Sequence, residues 1–198
     1  MPIDRRDLRR RLFALASVQG GYFSAAQAKE VGYSYPAQAH HVSAGNWARV
    51  DRGLFRLTEW VPGVHDHLAR WSLWSKGRAV VSHETALGVH NVGEFESPTI
   101  HLTVPHGFTM RELALTLHFA ELASSDTIEM SGFRVTTALR ALIDVAATEP
   151  DEEQLSRAIR EAEQVGLVTA RQLRARSEVV DPRAALLIER ALSLLENR

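Results

Sequence analysis

Nine side chains between Ser34 and Arg56 have the types and spacing to contact a nucleic acid: Ser34, Tyr35, Gln38, His40, His41, Ser43, Arg49, Arg52 and Arg56. The first six fall in a short stretch otherwise made largely of alanine. Glutamine can pair with adenine through two hydrogen bonds, and serine or neutral histidine can bond base edges or phosphate oxygens. The three arginines supply cations for phosphates. No Arg or Lys lies from Ser34 to Ser43, so the electrostatic grip would fall to those arginines and to the cluster Arg5, Arg6, Arg9, Arg10 and Arg11.

A second group invites metal chemistry and does not complete it. His83-Glu84 opens like the H-E-x-x-H pattern, in which two histidines one helical turn apart hold zinc. Position 87 is Leu, however, and the next histidine is His90. His65 with His67, and His101 with His106, lack acidic or cysteine companions at ligand spacing, so no metal is expected. The chain has no cysteine, which excludes disulfides, thiolate zinc sites and cysteine nucleophiles together. It also lacks a G-x-S-x-G elbow, a P-loop and a dinucleotide-binding glycine pattern, and Ser124-Ser125-Asp126 reads as a loop. No catalytic residue and no cofactor follow. An enzyme hidden in residues 65–145 would need a pocket joining His83, Glu84 and His101. Arg140 and Asp144, four apart on a helix, read as a structural ion pair worth tenths of a kcal/mol, on the order of 0.3.

The elements that must position these groups are legible by periodicity. Leu8, Leu12, Leu15 and Ala16 share one face of a helix over Arg5–Val18, stopped by Gly20-Gly21. Ser24-Ala-Ala-Gln27 has capping-box spacing and opens a short helix, Ala25–Val31, that ends at Gly32. Ser34 can cap a third helix from Tyr35 to about Ala44, with Pro36 in its first turn. Trp47–Val50 and Leu54–Leu57 flank Asp51-Arg52-Gly53 as a hairpin. This order is the plan of a winged helix-turn-helix, whose second motif helix lies in the major groove.

Beyond a Pro- and Gly-containing linker at 61–64, the spacing predicts a helix near Asp66–Ser75 and a strand at Ala79–Val81. A helix capped by Ser82 and strands at Thr99–Val104, Leu113–Leu122, Thr127–Met130 and Phe133–Val135 come next. A helix capped by Thr136 follows, then three more begun by Asp151, Thr169 and Asp181. The fold class is α+β: a winged helix-turn-helix at residues 1–60, then a mixed domain at 65–198 with a small sheet and a helical end. Charge divides along the same line. Residues 1–60 carry nine basic and five acidic side chains, whereas the remainder carries fourteen and nineteen. Such asymmetry suits a chain of which one domain meets nucleic acid. No apolar run is long enough to span a bilayer and the N-terminus lacks a signal layout, so a cytoplasmic protein with no membrane contact is expected.

Five stretches resemble the AbiEi family of bacterial antitoxins from type IV toxin–antitoxin pairs: Gly21–Ala28, Gly45–Leu57, Ser82–Leu87, Ile100–Pro105 and Val135–Asp144. The resemblance implies an N-terminal winged helix that binds inverted repeats in its own promoter and represses the operon. It also implies a C-terminal domain that neutralises a toxin of nucleotidyltransferase type. Operator DNA and that toxin would then be the partners, with two copies on the DNA. By the resemblance, the reading positions are those of the helix opened by Ser34-Tyr35, and the wing is Val50–Leu57. Family members commonly carry apolar residues at the positions of Gln38 and His41. Either the helix rolls to bury Ala39 and Val42, or those two polar groups are partly buried. The alternative role is a winged-helix module that binds protein and not DNA.

Overall fold

A computed structural model describes residues 4–196. The chain divides into two compact units. The first runs to Arg78 and also takes in Glu129–Phe133; the second holds Ala79–Ile128 and Arg134 onward.

In the first unit, α1 (Arg5–Ser17) is followed by β1 (Tyr22–Ser24), α2 (Ala25–Val31) and α3 (Tyr35–Ser43). Then come β2 (Trp47–Asp51), β3 (Leu54–Leu57) and α4 (Asp66–Trp74). The capping box forms as the spacing requires: Ser24 Oγ accepts from the Gln27 amide and Gln27 Oε1 accepts from the Ser24 amide. Ser34 Oγ accepts from the Ala37 amide and starts α3. The hairpin turns at Gly53, whose φ of +70° is in the left-handed region that glycine enters without a Cβ clash. Its register slips between Arg49 and Asp51.

β1 is not visible in the sequence pattern, because three residues cannot show an alternation. It exists by antiparallel pairing with β3, giving a sheet of order β1-β3-β2. Leu12, Ala16, Phe23, Ala28, Tyr33, Trp47, Phe55 and Leu57 form the core between this sheet and α1–α3. The core contains no residue of α4, yet α4 packs on β1 and β3, where Tyr22 and Leu54 are also buried. Helix α4 therefore covers the other face of the sheet. It is the packing of α4 that carries the first unit past residues 60–65.

The second unit contains β4 (Val80–Val81), α5 (His83–Val89), β5 (Ile100–Val104), β6 (Leu115–Phe119), β7 (Thr127–Glu129) and β8 (Arg134–Thr136). Helices α6 (Ala138–Ala146), α7 (Glu152–Gln164), α8 (Ala170–Val180) and α9 (Pro182–Glu196) complete it. The strand order is β6-β5-β4-β8-β7, with β5 antiparallel to β4 and parallel to β6. Thr137, one residue later than expected, caps α6. Nearly every residue of α6 is buried, and α5, α7, α8 and α9 all pack against it.

Burial also changes the standing of the Arg140–Asp144 pair. Arg140 Nε donates to Asp144 Oδ1 at 2.7 Å, its Nη1 donates to Asp126 Oδ2 at 3.0 Å, and Arg176 donates to both Asp126 oxygens at 2.9 Å. Arg140, Asp126 and Asp144 are all buried. The reading as a structural ion pair stands, but its expected worth of tenths is corrected: removing one member would strand a buried charge, at a cost of about 3–5 kcal/mol.

Candidate nucleic-acid interface

The first unit sorts the nine predicted residues by exposure. Ser34, Tyr35, His40 and Ser43 are exposed, with Pro36 and Ala39, and their spacing places them along one face of α3. Tyr35 is 61% exposed. The Lys29 ammonium of α2 lies 5.3 Å from the Tyr35 ring centroid, which adds a cation beside a helix that has no Arg or Lys of its own. Lys29 escaped the sequence reading because it belongs to the preceding helix; its place one turn before the Gly32 stop was the available signal.

Gln38 is corrected outright. It is 3% exposed, and its Nε2 donates to the Ala25 and Tyr33 carbonyls at 3.0 Å each. These bonds tie α3 to the first residue of α2 and to the turn between the two helices, so the amide cannot reach a base. His41 is corrected in the same sense. Its ring stacks on Trp47 at 4.7 Å and 12°, meets Tyr33 edge-on, and places Nδ1 3.2 Å from Asn46 Nδ2. Burial, with the nearby His40 charge, pushes its pKa down and favours the neutral ring. Of the two arrangements left open, the structure adopts the one in which Gln38 and His41 face inward, while Ala39 stays exposed.

The arginines divide as well. Arg49 is exposed, with its guanidinium 5.7 Å from the Phe55 ring centroid, and Arg52 is exposed at the turn. Among the described residues neither makes an ion pair. Arg56 is different. It pairs in register with Tyr22 and Ala48, on the sheet face that α4 covers, and packs its guanidinium 5.1 Å from the Tyr22 ring. Its Nε and one Nη are buried without partners. Half-buried there, it is not the free phosphate-binding cation expected of a wing.

The first helix adds charge unevenly. Asp7 holds Arg10 and Arg11 at 2.7 Å, and Glu59 holds Arg9. Arg5 and Arg6 carry no such pair among the described residues. A cleft of about 810 Å³ within this unit is bordered by Arg5, Arg6 and Arg9 of α1 and by Ser34, His40 and Asn46 around α3. The interface thus offers polar groups on α3, cations at Lys29, Arg49 and Arg52, and a basic edge at the start of α1.

Comparison with known proteins accords with this geometry. Residues 10–58 match the model of a family described as transcriptional regulator, AbiEi antitoxin. The AbiEi resemblance holds over that segment. It spans α1 to β3, the elements that build the exposed face of α3 and the hairpin. The three later stretches that carried the resemblance lie outside the matched residues. No curated protein matches the chain. Among solved structures, the crystal structure of RV2827C protein from Mycobacterium tuberculosis has a similar fold, with a TM-score of 0.60 at 10% identity. The match covers 96% of this chain and 78% of that one. No helix among the described residues is long and apolar enough to cross a membrane.

The second unit holds the histidines that the sequence pattern left unassigned. His83, His101 and His118 come together, with Glu84 beside them, whereas His106 is exposed and stands apart. His118 was missed because its partners lie 17 and 35 residues away in the chain. The available signal was the alternation His101-x-Thr103 and Thr116-x-His118 in two neighbouring strands.

Proposed function

We propose that this chain is an antitoxin of the AbiEi type: a cytoplasmic regulator whose first unit binds inverted repeats in its own promoter and represses the operon. Its second unit neutralises a nucleotidyltransferase-type toxin encoded beside it. The observation that carries the reading is the family match over residues 10–58, which coincides with the exposed α3 face and its flanking cations. Ser34, Tyr35, His40 and Ser43 meet the groove, while Lys29, Arg49 and Arg52 neutralise phosphates. Reading two half-sites requires two copies on the DNA.

The test is a binding assay on the promoter fragment across a salt series. Affinity should fall steeply with salt, and Arg49→Ala with Arg52→Ala should lower the log–log slope by about two, one unit for each lost phosphate contact. A double variant that binds with the wild-type slope would remove the hairpin from the interface. Toxin neutralisation is tested separately, by rescue of growth when the neighbouring toxin gene is co-expressed.

One observation favours a second reading, a winged-helix module for protein partners. The face of α3 that is exposed carries no Arg or Lys, and Gln38 is withdrawn from it. No shift of the promoter fragment at low salt, together with a stable complex with the neighbouring gene product, would establish that reading instead.

A further inference from the structure

We infer that His83, His101 and His118, with Glu84, form a binding site for a divalent late first-row transition ion, Zn²⁺ being the plainest case. The inference is independent of DNA binding. It rests first on placement. In parallel β5 and β6, His101 pairs with Thr116 and Thr103 with His118, so both histidines share one sheet face. Strand β4 runs alongside β5 and leads through Ser82 directly into His83 and Glu84 at the start of α5. One ring nitrogen from each histidine lies within 4.8 Å of the others. Zinc bonds of about 2.0–2.1 Å hold tetrahedral nitrogens about 3.3 Å apart, so small side-chain movements suffice.

The hydrogen bonds then show which nitrogens are available. Ser97 Oγ donates its one proton to the Thr99 carbonyl at 2.9 Å and lies 2.9 Å from His101 Nε2. His101 Nε2 must therefore be the donor in that contact, which in the neutral ring leaves Nδ1 as a lone pair. That lone pair faces Glu84 Oε2 at 2.7 Å and His118 Nε2 at 3.1 Å. Glu84 Oε2 is buried and makes no well-formed hydrogen bond. With His101 Nδ1 a lone pair, its contact with Glu84 Oε2 sets two acceptors face to face, a repulsion that a cation between them relieves.

The outer contacts resemble those that orient metal-bound imidazoles. The Ser97 hydroxyl holds His101 from behind. Ser82 occupies the N-cap position of α5 yet makes no cap bond; its Oγ lies 3.0 Å from His83 Nδ1, leaving Nε2 of that ring to bind. His83 itself has φ +53°, a left-handed conformation that a non-glycine residue adopts at a cost. Its ring stacks on His118 at 3.4 Å, and the two must swing apart slightly to address one ion. Three imidazoles and one carboxylate suit zinc, cobalt or nickel, and disfavour magnesium and calcium, which take oxygen donors.

The experiment uses the full chain, stripped with a chelator and titrated with Zn²⁺, Co²⁺ and Mg²⁺ by calorimetry and visible absorption. Zn²⁺ and Co²⁺ should bind at about one equivalent per chain, with intense d–d bands for cobalt in a four-coordinate site, and Mg²⁺ should not bind. His101→Gln with His118→Gln should weaken Zn²⁺ binding at least tenfold, whereas His65→Gln, His67→Gln and His106→Gln together should leave it unchanged. Should the double variant fail to fold, Ser97→Ala keeps every ligand and should still weaken Zn²⁺ about 10–100-fold, the usual effect of losing an outer-shell partner. Equal zinc uptake by wild type and a folded double variant overturns the inference. So does loss of uptake in the triple variant, or absence of Zn²⁺ uptake by the folded wild-type chain.

Discussion

In the first unit Tyr35, His40, Arg49 and Arg52 stand in solvent and make few internal bonds, whereas in the second Asp126 and Asp144 are buried and both bonded to buried Arg140. The same residue types therefore do different work in the two units. An exposed arginine is hydrated and screened, so its removal changes encounters with a charged partner and little else. A buried one has lost its water and must be matched by its neighbours, so its removal leaves an unsatisfied charge. Gln38 shows the contrast within a single helix, since it is two residues from exposed His40 and wholly committed to backbone carbonyls.

The comparison can be broken most sharply at Asp126. Asp126→Ala removes the carboxylate shared by Arg140 Nη1 and Arg176, leaving Arg140 with Asp144 alone, and should cost about 3–5 kcal/mol, read from the denaturant midpoint. A loss below about 1 kcal/mol would mean that solvent reaches the network. Next comes Gln38→Ala, which removes both bonds to the Ala25 and Tyr33 carbonyls and should cost about 1–3 kcal/mol while leaving the salt dependence of DNA binding as in wild type. If the variant kept full stability but bound other sequences, Gln38 would belong to the reading surface after all.

A pH dependence follows from Asp144. Burial pushes its pKa up to about 6 even though the Arg140 charge opposes the rise, and its Oδ2 has no partner. The fold thus holds this proton more tightly than the unfolded chain does. Its stabilising contribution is complete below the usual carboxylate value near 4 and is lost as pH rises through about 6. Asp144→Asn should flatten the stability curve in that window, where one proton gives a slope of at most about 1.4 kcal/mol per pH unit. Identical slopes for wild type and variant would show that Asp144 stays ionised. The smallest effects belong to the exposed face: Tyr35→Ala or His40→Ala should change stability by no more than about 0.5 kcal/mol yet weaken promoter binding.

Much of the first unit was legible because its signals are local. Ser24 with Gln27, Ser34, Gly32 and Gly53 specify caps, stops and a turn from spacing alone, and the helices and hairpin lie where those residues place them. Strand β1 was illegible, since Tyr22–Ser24 becomes a strand only against β3, some thirty residues on. The candidate interface was legible in part. Spacing put Tyr35, His40, Ser43, Arg49 and Arg52 near one another, but it could not say that Arg56 lies over Tyr22 beneath α4.

By itself the sequence determined the order of elements, the charge asymmetry between the two parts and the AbiEi resemblance, because each is written in neighbouring residues or in bulk composition. Only the tertiary structure decided which polar groups point inward. Gln38, His41 and Arg56 turn away from solvent because carbonyls and aromatic rings from other elements receive them. It also gathered His83, His101 and His118, since parallel pairing of β5 with β6 brings together side chains that no local spacing connects. Burial and long-range pairing are properties of the folded chain, and these are what separate a structural side chain from one free to bind.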